Sequence, residues 1–351
     1  MVWLLFSWSA AQQYEKESKG NLLSKAKPRR CIMKLTQDRD MSEFFTISVL
    51  IATFASGVRL ATPYLLAALG ETLGQRSGVL NLGVDGVMLL SSFFAYWTVL
   101  ESGSRLLGVF IGILVGLIMG AIYAVATLIF KADQGISGIG IFLFGLGFSE
   151  LLFLEQVGTP RSIPSFRKTK IPLLGDIPHI GDILFNHTLI VYLAFALVPL
   201  IAWVMHKTTF GLNLRAVGET PSAADSVGIS VNRVRTATIL FGNAMAGLAG
   251  AALTIQLGTF QNNITNGMGF IAVALVYFGG WKASGVLAGS LLYGLVTAVI
   301  TKWKTLGIVT GAAASLTTMA PAVLTVLALA VIARRTTSTP SALTLPFTRG
   351  D

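Results

Sequence analysis

From Phe44 onward the chain is a succession of apolar stretches divided by short polar breaks, and this limits the fold more than any motif does. The stretches lie near 44–69, 79–100, 106–130, 135–157, 187–206, 236–257, 268–281, 285–301 and 308–333. A helix needs about 20 apolar residues to cross the hydrocarbon core of a bilayer. The seventh stretch is short for that, and is expected to be broken or re-entrant. Only 12% of the 351 residues are charged, against 53% apolar, where a soluble domain carries about twice that charged share. There are too few polar residues to clothe a soluble protein of this size. The expected fold is an all-α polytopic integral membrane protein with about nine helices, eight to ten, surrounded by membrane lipid.

The net charge of +10 fits that class, because membrane proteins collect Lys and Arg in cytoplasmic loops. No basic helix with interleaved aromatics occurs, so nucleic acid is excluded as a partner. Cys31 is alone and can form neither an internal disulfide nor a cysteine cluster. His179, His187 and His206 share no ligand spacing with one another or with carboxylates. No metal and no cofactor is expected, and no catalytic His/Glu or Ser/His pair falls at membrane depth.

Residues 1–40 differ from the rest. "MVWLLFSWSAAQ" is too short to span and lacks the basic start of a signal peptide. The polar run behind it reads as a disordered extension, or as sequence ahead of a true start at Met33 or Met41. The expected division is this extension at 1–40, a transmembrane domain at 41–339 and a tail at 340–351.

Gly112, Gly116 and Gly120 recur every four residues and share one helix face, as do Gly285 and Gly289. Small residues at that spacing let helix backbones approach closely in lipid. Membrane helices also tolerate glycine without using it; the triple repeat favours packing. Loop 158–186 holds four prolines and reads as an ordered extramembrane loop. Lys207, Arg215, Arg233 and Arg235 place loop 207–235 in the cytoplasm, together with Arg76, Lys131, Lys282 and Arg334–Arg335. The N-terminus and loop 158–186 are then outside, which sets the basic N-terminal tail against the same rule.

Within 207–235, Pro221 stands where a helix begins, with Ala223 and Ala224 behind it. Gly211, Gly218 and Gly228 bracket short pieces. Leu212, Leu214, Ala216 and Val217 can face a partner while Arg215 and Glu219 set orientation. Two readings are open on these grounds: a docking knob for a cytoplasmic protein, and a solvated loop lying on the membrane. Polar residues inside spans are costly and face the bundle interior or a wet cavity. Asn81 and Asp85, four apart on one helical face and flanked by Gly78, Gly83 and Gly86, are candidates to line a path; a helix–helix hydrogen bond is the competing reading. Gln256 and Phe260, with Gln261, Asn262 and Asn263, form a second polar cluster suited to a sugar or nucleobase, unless 261–263 is a solvent loop.

"RAVGETPSAADSVGISVNRVR" at 215–235 resembles the cytoplasmic coupling loop of permease subunits in ABC importers for branched-chain amino acids, ribose-type sugars and nucleosides. "LGETLGQRSGVLNLGVDGVMLL" at 69–90 is similar to the signature of the nucleoside and simple-sugar branch. "KADQGISGIGI", "FRKTKIPLLGDIPHIGDILF" and the terminal "LPFTRGD" resemble it as well. The similarity covers roughly 44–351, and Asp85 stands where that branch more usually has Glu. The resemblance implies a permease of the prokaryotic cytoplasmic membrane. It further implies an ABC ATP-binding subunit gripping Arg215, Gly218, Glu219, Pro221, Ala223, Ala224 and Gly228, a second homologous permease, and an extracellular substrate-binding lipoprotein. No G-x-x-x-x-G-K-[ST] phosphate loop occurs, which agrees with a chain that is not itself the ATPase. The rival reading is a stand-alone ion-coupled secondary transporter or channel, with Asp85 and Glu150 as proton carriers.

Overall fold

The computed structural model describes residues 46–309 apart from 173, 174, 176 and 179, then 311, 317, 319–321, 323 and 339–348. Two units separate: a small one of 1–50 with 300–317, and a large one of 51–299 with 318–351. In the small unit the described backbone is helical at 47–50 and 300–305, and leaves the second helix through a left-handed Gly307 (φ +71°). All that follows concerns the large unit. The N-terminal extension and the ninth apolar stretch lie wholly or mostly outside the described residues.

The helices are α1 (Ile47–Arg76), α2 (Val84–Ser102), α3 (Arg105–Ala124, prolonged by a π-helical turn at Val125–Ile129), α4 (Gln134–Gln156), α5 (Ile180–Leu184), α6 (Leu189–Lys207), α7 (Thr209–Glu219), α8 (Pro221–Ser226), α9 (Val231–Leu257), α10 (Met268–Phe278) and α11 (Ala283–Thr305). Six of them, namely α1, α3 with its π turn, α4, α6, α9 and α11, are long and apolar enough to cross a membrane. The chain is a largely helical polytopic membrane protein. It is not wholly helical: Lys168–Lys170 (β1) pairs antiparallel with Asn186–Thr188 (β2). The Tyr192 hydroxyl closes that ribbon, accepting from the His187 amide and donating to the Thr169 carbonyl, each at 3.0 Å.

Two helices depart from the expected spans. α2 begins at Val84 rather than near 79, because residues 77–83 do not coil. α10 has 11 residues and follows an irregular run at 258–267. Both are entered from non-helical chain, and α10 is too short to cross.

α2, α3 and α9 pack through glycine. A Cβ at Gly112 would stand 2.7 Å from that of Ala251, one at Gly116 would strike the Asn243 carbonyl, and one at Gly120 would stand 2.8 Å from the Asn243 Cβ. From the other side, a Cβ at Gly247 would strike the Gly112 carbonyl, and one at Gly250 the Met88 carbonyl. Ser92 Oγ donates to the Gly250 carbonyl at 2.8 Å and ties α2 to α9. On α3 the exposed Leu106, Phe110, Leu114, Ile118 and Ile122 share the four-residue spacing of the glycines but are offset by two. An offset of two residues places them on the opposite face, so α3 turns glycine to its neighbouring helices and large apolar side chains away from the bundle.

The two ends of the unit differ. At one, Arg76 Nε donates to the Trp281 carbonyl (3.5 Å), and Lys131 shares a cavity of about 290 Å³ with Asp225, Ser230, Val231, Asn232 and Phe347. At the other, Tyr96 Oη donates to the Arg161 carbonyl (2.9 Å), Arg105 Nη1 to that of Ser165 (2.9 Å), and the Ile163 amide to that of Gly258 (2.9 Å).

Gly116→Leu is expected to prise α3 from α9, since the added side chain meets backbone that cannot yield; overpacking of this kind costs about 1–3 kcal/mol, and more where backbone is struck. Gly140, with nothing within 4 Å of its would-be Cβ, supplies the control. Thermal unfolding in detergent should show a lowered midpoint for Gly116→Leu and an unchanged one for Gly140→Leu. Equal midpoints would mean that the α3 glycines do not set the packing.

Candidate functional site

The irregular segment 77–83 starts at Ser77, whose hydroxyl donates to the Gly74 carbonyl (2.7 Å), and turns at the left-handed Gly78 (φ +88°). It then climbs back beside α1, with the Val79 amide on the Gly74 carbonyl (3.0 Å). Backbone of this kind survives at membrane depth only where protein satisfies it. The Leu80 amide donates to Gln134 Oε1 (2.8 Å), the Leu80 carbonyl accepts from the Tyr123 hydroxyl (2.7 Å), and the Gly83 amide donates to Asn81 Oδ1 (2.8 Å). Asn81 Nδ2 donates to Asn243 Oδ1 (3.1 Å), and Asn243 Nδ2 to the Ile239 carbonyl (2.8 Å). Asn243 stands near the middle of the 27-residue α9, which places Asn81 at half its height.

Asn81 and Asp85 do not share a helix face. Asn81 precedes α2, and its side chain turns to α9. Asp85 sits in the first turn of α2 and turns to α10. Its Oδ1 accepts from the Gly269 amide (2.7 Å) and its Oδ2 from Thr265 Oγ1 (3.2 Å), with the residue 1% exposed. The first amides of a helix lack intrahelical acceptors and form the positive end of its dipole. A carboxylate held there makes charge-assisted hydrogen bonds. A Cβ on Gly269 would collide with the backbone of Asp85, so the starts of α2 and α10 touch.

Glu71 and Gln75, one turn apart on α1, escaped the sequence reading. Both are buried; Glu71 reaches the Asn81 amide, and Gln75 Oε1 accepts from Trp281 Nε1 (3.0 Å). Their spacing of four at the end of the first span was the available signal. Arg235, 1% exposed, was read only as a loop charge. It instead lies in the first turns of α9, and its Nε donates to the Ser77 carbonyl (3.2 Å).

The second polar cluster is split between buried and exposed positions. Phe260 is fully buried against Phe93, Tyr96 and Phe153, with ring centroids 5.2–5.7 Å apart. It is a packing residue, because three aromatic neighbours close off its ring. Gln256 is half-buried near the end of α9. Gln261, Asn262 and Asn263 are exposed, and Asn262 Nδ2 donates to Glu150 Oε1 (2.9 Å).

Segment 207–235 folds as two short helices. Thr208 Oγ1 accepts from the Gly211 amide (3.1 Å) and caps α7, while Pro221 opens α8. Leu214 and Val217 are fully buried in the chain's own core. The apolar face thought to meet a partner is therefore mostly turned inward. Gly218 is inward too, since a Cβ there would strike the Arg76 carbonyl, and so is Ala224. Leu212 (59% exposed), Ala223, Val227 (75%) and the left-handed Gly228 point out. Arg215 Nε donates to the Gly211 carbonyl (3.3 Å). Glu219 stands 4.0 Å from Arg76 and accepts from Ser341 Oγ (3.0 Å). Among the described residues no group of three His, Cys, Asp or Glu can hold a metal ion.

Residues 53–332 match the family described as "Branched-chain amino acid transport system / permease component". The chain is 34% identical over 302 residues to a guanosine ABC transporter permease protein of Bacillus subtilis, covering 83% of this chain and 94% of that one. It is 32% identical over 296 residues to a nucleoside ABC transporter permease protein of Lactococcus lactis (82% and 92%), and 35% identical over 257 residues to a putative glucose ABC transporter permease protein of Haloferax volcanii (70% and 78%). No solved structure matches the chain. Apolar helices packed through glycine, two of them entered from irregular chain inside the bundle, accord with these matches: the chain belongs to the branched-chain amino acid transport system permease family, and is a multi-pass cell-membrane permease subunit of an ABC importer.

Proposed function

We propose that this subunit forms the pathway for nucleosides or simple sugars across a prokaryotic cytoplasmic membrane. A separate ABC ATP-binding subunit hydrolyses ATP, a second homologous permease completes the pathway, and an extracellular lipoprotein delivers the substrate. The observation that carries a transport path is the meeting of α2 and α10 at the buried Asp85. Relatives named for guanosine, nucleosides and glucose support the substrate class. Part-length helices that start inside a membrane leave amide groups and positive dipole ends at depth, where transporters hold polar cargo. Asn81 and Asp85 set the geometry of that junction, and Gln256 lies nearer the outer end.

The ATP-binding subunit docks on α7 and α8. Ala223 and Gly228, with Leu212 and Val227 beside them, form the contact surface; Pro221 starts α8, and Gly218, Ala224, Arg215 and Glu219 seat the two helices on the bundle. Nine crossings suit this arrangement. The transmembrane domain is then 41–339, with 207–235 inside, 158–186 outside, and 340–351 an inner tail.

Two substitutions test these assignments. Glu219→Arg sets a second cation beside Arg76 and removes the acceptor for Ser341. Both contacts lie within this chain, so the substitution acts by unseating α7, and association with the ATPase is expected to weaken roughly tenfold or more while membrane insertion stays normal. Co-purification and substrate-stimulated ATP hydrolysis read this out, and full coupled activity would remove α7 from the docking site. Asp85→Asn leaves the start of α10 without its carboxylate. Uptake of labelled guanosine or glucose should then fall about tenfold, while the amount of inserted protein falls far less. Normal uptake would reduce Asp85 to a packing detail.

A further inference from the structure

The described C-terminal segment 339–348 belongs to no helix, yet it is fastened at each step to the end of the bundle that carries α7. Its Ser341 hydroxyl donates to Glu219 Oε2 (3.0 Å), and the Ala342 amide to the Gly218 carbonyl (2.9 Å), both in the last turn of α7. Two residues on, the Thr344 amide donates to the Gly78 carbonyl (3.2 Å). The Leu345 carbonyl accepts from Arg235 Nη1 (2.9 Å). Ala342 is 3% exposed, and the Phe347 side chain packs on the core.

Arg235 deepens the picture. Its guanidinium is buried and makes no ion pair among the described residues; it holds the Ser77 carbonyl with Nε and the tail with Nη1, and its Nη2 has no partner among those residues. Burying a cation without a counter-charge is unfavourable, and a lysine cannot reach two separate carbonyls from a rigid fork. One side chain therefore clamps the turn at 77–78 and the tail together. Gly78 is shaped for the same contact: a Cβ there would stand 2.8 Å from the Ala342 carbonyl. Three residues past Gly78 is Asn81, and seven past it is Asp85.

We propose that residues 340–347 are a strap that carries displacement of α7 to the hinge at 77–83, with Arg235 as the positioning residue that locks strap to hinge. The strap rests on the reading of α7 and α8 as the ATPase docking element. It gives that element a direct route to Asn81 and Asp85: α7 pulls on Ser341 and Ala342, and the tail pulls on Gly78.

The test uses the whole transporter in lipid nanodiscs. In a Cys31→Ser background, Leu82→Cys in the hinge is alkylated with a thiol reagent, with and without ATP plus vanadate. The parent is expected to show a nucleotide-dependent change in rate of roughly fivefold or more. A chain ending at residue 339, and separately Arg235→Lys, should abolish that change while still co-purifying with the ATPase and hydrolysing ATP. A full nucleotide response at Leu82→Cys in the shortened chain overturns the strap. So does a parent whose hinge does not respond, and so does a lowered midpoint with parallel loss of ATPase association, which would make the tail a packing element. Failure of the docking reading shows separately, as unchanged association of the Glu219→Arg protein with the ATPase, since loss of the strap alone leaves that association intact.

Discussion

A backbone that leaves the helix inside a bilayer must find every hydrogen-bond partner in protein, and the structure is arranged around meeting that demand at 77–83. The segment's amides and carbonyls are taken up by Gln134, Tyr123 and Asn81 itself, and Asn81 is in turn held by Asn243. These side chains come from α3, α4 and α9, so those helices must lie within a few ångströms of the segment. Glycine makes that possible. A Cβ at Gly138 would stand 2.7 Å from the Leu82 amide, and one at Gly145 would strike the Gly86 carbonyl. Polar satisfaction and close packing are thus one requirement, met by the same helices.

The same constraint ties α10 to α2. α10 starts inside the bundle and presents unsatisfied amides, which Asp85 answers. Asp85 is itself available only because 77–83 delays the start of α2. If the segment coiled from residue 79, the carboxylate would sit in the second turn of a helix begun lower down. The hinge, the late start of α2 and the capping of α10 are therefore consequences of one another, and motion at the hinge is motion at the junction.

Much of this was legible from residue types and spacing. The apolar runs located the helices, and the four-residue glycine repeat located the face of α3 that meets α9. Gly78, Gly83 and Gly86 marked a weak point in the second span. What could not be read was which partner each polar side chain finds. Treating 79–100 as one helix put Asn81 and Asp85 on a common face, and only the tertiary position of α9 and α10 shows them diverging. Phe260 among amides suggested a ligand platform until Phe93, Tyr96 and Phe153 enclosed it. Leu214 and Val217 have the pattern of a docking face, but pattern alone does not say whether a helix turns that face to a stranger or to its own chain. Arg235 was counted as a loop charge because its burial depends on the tail, more than a hundred residues away.

The arrangement of charge also bears on how transport is driven. A proton or ion carrier needs a carboxylate that can exchange its partner between two accessible states. Both oxygens of Asp85 are engaged by donors that belong to the scaffold, the Gly269 amide and the Thr265 hydroxyl, and the former is fixed by the start of a helix. Releasing Asp85 would uncap α10 rather than discharge a proton along a path. Glu150, the other carboxylate in question, stands with Asn262 at the exposed end opposite α7. Force must then enter from outside the membrane. At the end that carries α7, outward Leu212 and Val227 stand on helices whose inner faces are locked to the bundle by Leu214, Val217 and Gly218. On the reading proposed above, a push by the ATP-binding subunit on such a surface would move the bundle as a mechanical load.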